Sequence, residues 1–305
     1  MFRLHVWGPV STSLTFSAPC LATIWYMQLC DIDFTVVQSS NEGLAGELPC
    51  LETSEKKIGG AESIIRYLKS LGHNLDADLT SDEQIKNTAL LAYMSSLQTI
   101  TEYCLFVDEE AYQKVTRPMF NEFMPFLMQY NVSVRLREQA KDRCCAAGID
   151  TATPSWAVSA TKMASESLTN PKPSMGKLYD QSVEREKQKD ASKAVSKTVF
   201  RLLNSATEIY TDMMDTATAN VAKGSLFSTV STSDVFLCAH LQLQMLPALP
   251  DCAVAGLLKS KFPALLQYED VFVEKIGNKD LKVEGPLGKD APLWIYHLKQ
   301  ILGWY

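Results

Sequence analysis

The sequence has no cysteine pair at C-x-x-C spacing, although eight cysteines are scattered along its 305 residues. Cys144 and Cys145 are merely adjacent. Such usage suits buried thiols in a reducing compartment and excludes a disulfide framework. There is no G-x-S-x-G nucleophile elbow, and Gly8, Gly43 and Gly46 lack the spacing of a phosphate loop. The four histidines, His5, His73, His240 and His297, are far apart without a second ligand at metal spacing, so no metal is expected. His240, on an apolar stretch, reads as a hydrogen-bonded core histidine. Positive charge is short too. Lys and Arg number 29 against 35 Asp and Glu, a net charge of −6 that argues against a nucleic-acid partner. No apolar run reaches the roughly 18 residues of a membrane span. The nearest approach, Asp234 to Leu249, is interrupted by His240, Gln242, Gln244 and Pro247. The amphipathic tail Pro292 to Tyr305 reads as a closing helix packed on the body, with a membrane-surface or partner contact as the alternative. Strand-like alternation starts at residue 2, so no secretory or matrix-targeting leader is expected.

What is present is concentrated first in the opening seventy residues. Phe2, Leu4 and Val6 alternate with Arg3, His5 and Trp7, the period-two pattern of a strand. A Ser/Thr/Pro-rich loop follows. Cys20 to Cys30 then reads as a helix, Phe34 to Val37 as a second strand, Leu48 to Leu51 as a third and Lys56 to Ile58 as a fourth. Gly59-Gly60 stops that strand, and Ala61 to Leu68 opens a helix. This βαβ-then-ββα order predicts a thioredoxin-like domain over residues 1–75.

Beyond it the apolar period lengthens to that of helices. Thr80 or Ser81 is the expected N-cap of a helix whose face carries Leu90, Leu91, Met94, Leu97, Ile100, Cys104 and Leu105. A second helix is expected over Glu109 to Phe123, broken or kinked around Pro118 and again at Pro125. A third, Val132 to Ala147, has a basic side formed by Arg135, Arg137, Lys141 and Arg143. Residues 151–177 combine turn chemistry with little apolar content and read as a mobile insertion, where limited proteolysis should cut first. Helix resumes by Val195, with Val199, Leu202, Ala206, Ile209 and Met213 on one face. Ser231 to Asp234 has capping-box spacing before Val235 to Leu246, which is apolar on nearly every side and so belongs at the centre of a bundle. The expected architecture is α+β, with a helical domain over 80–305.

Three places in the first domain could hold a thiol peptide. Pro49 at a strand start would, as a cis residue, leave neighbouring backbone groups open to a ligand. Glu62-Ser63 lies at a helix N-terminus, where N–H groups and the dipole favour a carboxylate. Cys20 lies in the first turn of a helix, where a thiolate would be stabilised. Together these resemble the glutathione-transferase site, in which a proline, an acidic-residue–Ser pair and a Ser, Tyr or Cys at the first helix bind the tripeptide. Ser17 and Cys20 compete for the catalytic position. The same features equally order a sheet and start a helix with no substrate present, and Cys20 equally serves as a small apolar residue.

Further motifs point to a non-catalytic relative of that fold. Leu4-His5-Val6-Trp7-Gly8, the Leu48-Pro49 strand, Tyr112 to Arg117, Met124-Pro125-Phe126 with its basic helix, and Ser231 to Pro250 resemble, in that order, the metaxin family and its fungal branch. The resemblance covers Phe2 to Arg143 and Lys193 to about Ser260. It implies a glutathione-transferase-like fold without enzyme activity or cofactor. It also implies a peripheral subunit of the sorting and assembly machinery (SAM complex) on the cytosolic face of the mitochondrial outer membrane. Such a subunit supports insertion and assembly of β-barrel precursors and links to the import translocase. The implied partners are a membrane β-barrel core subunit, a second metaxin-like subunit and the translocase. The alternative is a glutathione transferase using Cys20 or Ser17, with Pro49, Glu62 and Ser63 holding the tripeptide.

Overall fold

A computed structural model describes residues 2–8, 14–39, 47–124, 126–149, 197–216, 223–249, 252–277 and 281–284. The insertion expected at 151–177 and the closing helix expected at 292–305 lie outside the described residues.

The opening pattern forms the expected elements. β1 is Phe2–Trp7, α1 is Ala18–Leu29, β2 is Phe34–Ser39, β3 is Cys50–Glu52, β4 is Lys57–Gly59 and α2 is Ala61–Ser70. β1 and β2 run parallel, as a helical crossover requires, while β3 adds antiparallel to β1 and β4 adds antiparallel to β3. Pro19 lies in the first turn of α1, where a missing N–H costs nothing. Gly60 caps α2 at φ +80°, a conformation that favours glycine.

The sheet order is β4-β3-β1-β2-β5, where β5 is Lys282–Glu284 from the far end of the described chain. β5 pairs parallel with β2, Val283 opposite Val36. Two ion pairs hold it, Arg3 to Glu284 at 2.8 Å and Lys282 to Asp33 at 3.1 Å. The sequence reading assigns no element there. The region expected to be helical therefore returns one strand to the first domain's sheet.

The helical region begins with α3, Ser81–Ala92, capped as expected by Thr80, whose hydroxyl accepts from Glu83 N–H while Glu83 reaches back to Thr80 N–H. The single long helix expected from Ile85 to Leu105 is divided. α4, Met94–Glu102, starts after a break at Tyr93 and continues into a π-helical stretch, Tyr103–Val107. The expected Glu109-to-Phe123 helix is likewise divided into Glu109–Ala111, a π-helical Tyr112–Thr116 and Arg117–Phe123. This interruption falls just ahead of Pro118, where a break or kink is expected. Pro118 has no N–H for the carbonyl four residues back, and a wider turn there absorbs the mismatch. The next helix, Phe126–Ala146, starts earlier than expected, and a helix at 197–216 buries Leu202, Ala206, Ile209 and Met213 as their spacing predicts.

The helix Thr232–Gln244 is the centre of the molecule. All but one of its thirteen residues are buried, and it packs against α1, α3, α4 and the last described helix, Pro263–Ile276. Its first turn joins the two domains. Asp76, in the linker, accepts from the Thr232 amide at 2.8 Å, the Thr232 hydroxyl at 2.7 Å and the Lys69 ammonium at 2.6 Å. The Trp25 and Phe272 rings meet edge to face at 5.7 Å, and one hydrophobic cluster runs through both domains.

The capping carboxylate of the central helix is fully buried. Asp234 accepts from Ser231 N–H at 2.7 Å, Ser231 Oγ at 2.6 Å, Leu226 N–H at 2.6 Å and Tyr268 Oη at 2.5 Å. Deeper along the helix, His240 Nδ1 lies 2.9 Å from Thr101 Oγ1, which also receives Gln244 Nε2 at 2.9 Å. Tyr210 donates to the same Gln244. Burial drives the His240 imidazole down to about 3, so it is the neutral, hydrogen-bonded core histidine that its apolar setting predicts.

Candidate functional site

The two domains face each other across a cleft of about 390 Å³. Ser17, Glu47 and Leu48 line one wall, and Gln98 and Glu102 of α4 line the other, with Gln139 and Arg143 of the helix Phe126–Ala146 beside them. The floor is aromatic. Phe16 packs on Phe120 with ring centroids 4.8 Å apart, on Trp7 at 6.0 Å and on Phe106 at 6.4 Å. Trp7 and Phe16 are 5% and 2% exposed, so the space beneath the cleft is filled by side chains rather than open to a ligand.

Of the five residues that the sequence offers as a thiol-peptide site, only Ser17 lines this cleft. Cys20 is fully buried, and burial pushes its thiol up to about 11 against the opposing hydroxyls of Ser17 and Thr15. It therefore holds its proton at neutral pH, and its place in the first turn of α1 does not produce a thiolate. Ser17 has its amide bonded to Thr15 Oγ1 at 3.1 Å and is half-buried.

Leu48-Pro49 is cis, as expected, and the Pro49 carbonyl accepts from Gly60 N–H at 2.8 Å. Pro49 is thereby brought to the start of α2, where Glu62 and Ser63 are exposed. A carboxylate of the chain itself already lies at this helix start. Glu47 presses on Gly60 so closely that a Cβ at that glycine would lie 2.1 Å from Glu47 Oε1. The position where the dipole would welcome a ligand's carboxylate is next to an internal one.

The strongest polar feature of the cleft was not singled out by sequence. Arg143 donates to both oxygens of Glu102, at 2.6 and 2.8 Å, and Gln98 adds a third bond at 2.7 Å. Both Glu102 oxygens thus accept hydrogen bonds from the chain itself. The basic helix offered a signal in Arg143, but its partner lay on the apolar stripe of α4. The other basic residues of that helix are also engaged. Arg137 pairs with Glu109 and lies 4.2 Å over the Tyr112 ring, and Lys141 pairs with Glu138 at 2.7 Å. The expected basic side is a set of internal ion pairs more than a free charged face. Among the described residues, no cluster of three or more His, Cys, Asp or Glu could hold a metal, and no helix is long and apolar enough to cross a membrane.

Comparison with known proteins agrees with this anatomy. Residues 20–137 match the Tom37 family, described as outer mitochondrial membrane transport complex protein, and residues 159–305 match the Tom37 C-terminal domain. Metaxin-1 of Mus musculus is 27% identical over 141 residues, 45% of this chain and 43% of that protein. Metaxin-1 of Homo sapiens is 27% identical over the same length, covering 29% of that protein. The match thus spans less than half the length of these relatives. Among solved structures, a glutathione S-transferase of Ceriporiopsis subvermispora, in complex with glutathione, superposes with a TM-score of 0.50 at 13% identity. It covers 90% of this chain and 97% of the transferase. That likeness concerns the fold, which is glutathione-transferase-like α+β.

Proposed function

Because the chain belongs to the Tom37 family, the metaxin-type proteins of the outer mitochondrial membrane transport complex, we propose that it is a non-catalytic peripheral subunit of the sorting and assembly machinery. In this reading it sits on the cytosolic face of the outer membrane. It binds a membrane β-barrel core subunit and a second metaxin-like subunit, and it supports insertion of β-barrel precursors. It also links that machinery to the import translocase. The observation that carries the non-catalytic part is the aromatic floor of the interdomain cleft. Trp7, Phe16, Phe106 and Phe120 fill the volume beneath Ser17, and Cys20 is a buried, protonated thiol. Such a subunit works by holding neighbours together. Bridging raises the local concentration of components around a precursor whose strand edges stay unpaired until the barrel closes.

The test is purification of the tagged full chain from mitochondria in mild detergent. A β-barrel membrane protein and a second metaxin-like subunit should accompany it in fixed ratio. Trypsin added to intact mitochondria should degrade it, and its depletion should slow assembly of imported β-barrel precursors. Migration of the chain alone, with assembly unaffected, refutes the proposal. Retention on immobilised glutathione with Cys20- or Ser17-dependent turnover of a chlorinated aromatic substrate would instead restore the transferase reading.

A further inference from the structure

One pair of side chains outside the cleft has a geometry that neither packing nor the proposed role requires. Cys104 and Cys252 are 148 residues apart in sequence, yet their sulfurs lie 3.1 Å from each other. Cys104 belongs to the π-helical stretch that continues α4 and is fully buried. Cys252 is the N-cap of the nine-residue helix Ala253–Lys261 and is 8% exposed. The amide N–H groups of Val254 and Ala255 point at its sulfur. A thiol placed there is the more acidic of a pair, because the amides and the positive helix end stabilise its anion. Its partner, enclosed and hydrogen-bonded to it, keeps its proton.

We propose that Cys104 and Cys252 form a redox-active dithiol that a peroxide closes into a disulfide, joining the end of α4 to the helix Ala253–Lys261. The chemistry balances in two steps. The Cys252 thiolate attacks one peroxide oxygen, the O–O bond breaks, and hydroxide leaves, giving a sulfenic acid at Cys252. The Cys104 sulfur then displaces that hydroxyl as its own proton is lost, forming the S–S bond and water. Two thiols are oxidised, and one peroxide is reduced to two waters. Two equivalents of glutathione reverse the reaction and leave as glutathione disulfide. The sulfurs need to approach by about 1 Å to reach bonding distance, a displacement that side-chain rotation can supply. Cys252, the more exposed of the two, meets the oxidant first, and Cys104 resolves it.

The experiment uses the full chain, reduced and then treated with hydrogen peroxide, blocked with N-ethylmaleimide and mapped by non-reducing peptide mass spectrometry. The expected result is a peptide linked through Cys104 and Cys252, loss of two thiols, and recovery of both on addition of glutathione. In Cys104→Ser, dimedone should trap a sulfenic acid at Cys252; in Cys252→Ser, Cys104 should stay a thiol. Cys145→Ser, which removes an exposed cysteine, should leave the closure intact. The proposal fails if peroxide modifies other cysteines while Cys104 and Cys252 are recovered as free thiols, or if their linkage forms only in denaturant. The wild-type map decides the matter even if a serine variant does not fold.

Discussion

Asp234→Ala removes one acceptor from four buried donors at once. Two of these are backbone amides, Ser231 N–H and Leu226 N–H, at 2.7 and 2.6 Å. Neither can rotate away to another partner. An orphaned buried donor costs about 1–3 kcal/mol, so the two amides alone amount to about 4 kcal/mol. Loss of the Tyr268 and Ser231 hydroxyl bonds adds to this, while removal of a carboxylate whose ionisation burial disfavours gives part of it back. The expected net loss is about 3–4 kcal/mol, a large share of the roughly 5–15 kcal/mol available to a folded protein. Tyr268→Phe removes one of the four bonds and should cost about 1 kcal/mol. Asp234→Asn keeps an oxygen for Leu226 and Tyr268 but presents an amide to Ser231 N–H, and should fall between the two. Urea unfolding followed by far-UV circular dichroism measures all three. An Asp234→Ala variant within 1 kcal/mol of the parent, or a Tyr268→Phe variant more damaging than it, would refute the claim that this carboxylate organises the first turn of the central helix.

Three further outcomes follow from other parts of the molecule. Phe16→Ala should cost about 3–5 kcal/mol, because it opens a cavity under Trp7 and Phe120; the midpoint of urea unfolding reads the loss. Asp76→Ala should cost about 2–3 kcal/mol at neutral pH, since it breaks bonds to Thr232 and Lys69 across the domain boundary. Burial raises the Asp76 pKa, but the Lys69 ammonium and the Thr232 donors outweigh it and hold the pKa below 3.8, so the wild-type advantage is full above that pH and disappears as pH falls through the lower folded value. Glu269 behaves in the opposite sense. Burial first, and then neighbouring Asp270, raise it from 4.5 to about 7, so the folded chain holds this proton more tightly than the unfolded one. Stability should therefore fall by up to about 2 kcal/mol as pH rises from about 4.5 to 7, and Glu269→Gln should flatten that slope in denaturation measured across the range.

Local signals carried much of the fold. Alternation placed β1, glycine punctuation placed the start of α2, and the four residues Ser231 to Asp234 marked the start of the most buried of the described helices. Each feature depends on neighbours within a few positions. Long-range pairing was less legible. Lys282–Glu284 is too short and too charged to announce a strand, and only the open edge of β2 makes it one. The π-helical stretches were hidden for a related reason, since their apolar spacing over Leu97, Ile100 and Cys104 fits a regular helix equally well. In the cleft, the sequence shows neither that Phe16 and Phe120 fill the space beneath Ser17 nor that burial keeps the Cys20 thiol protonated. Both depend on atoms brought together from distant positions.

The position of β5 has a consequence for how the protein is made. Its partner strand ends at Ser39, whereas Lys282 is added only after more than two hundred further residues. At a ribosome's pace of about 5–20 residues per second, the β2 edge spends on the order of ten seconds or more without its final neighbour. A nascent chain in that interval displays an open flank able to recruit stray strands, so its early domain reaches its finished outline only once Lys282–Glu284 has been added.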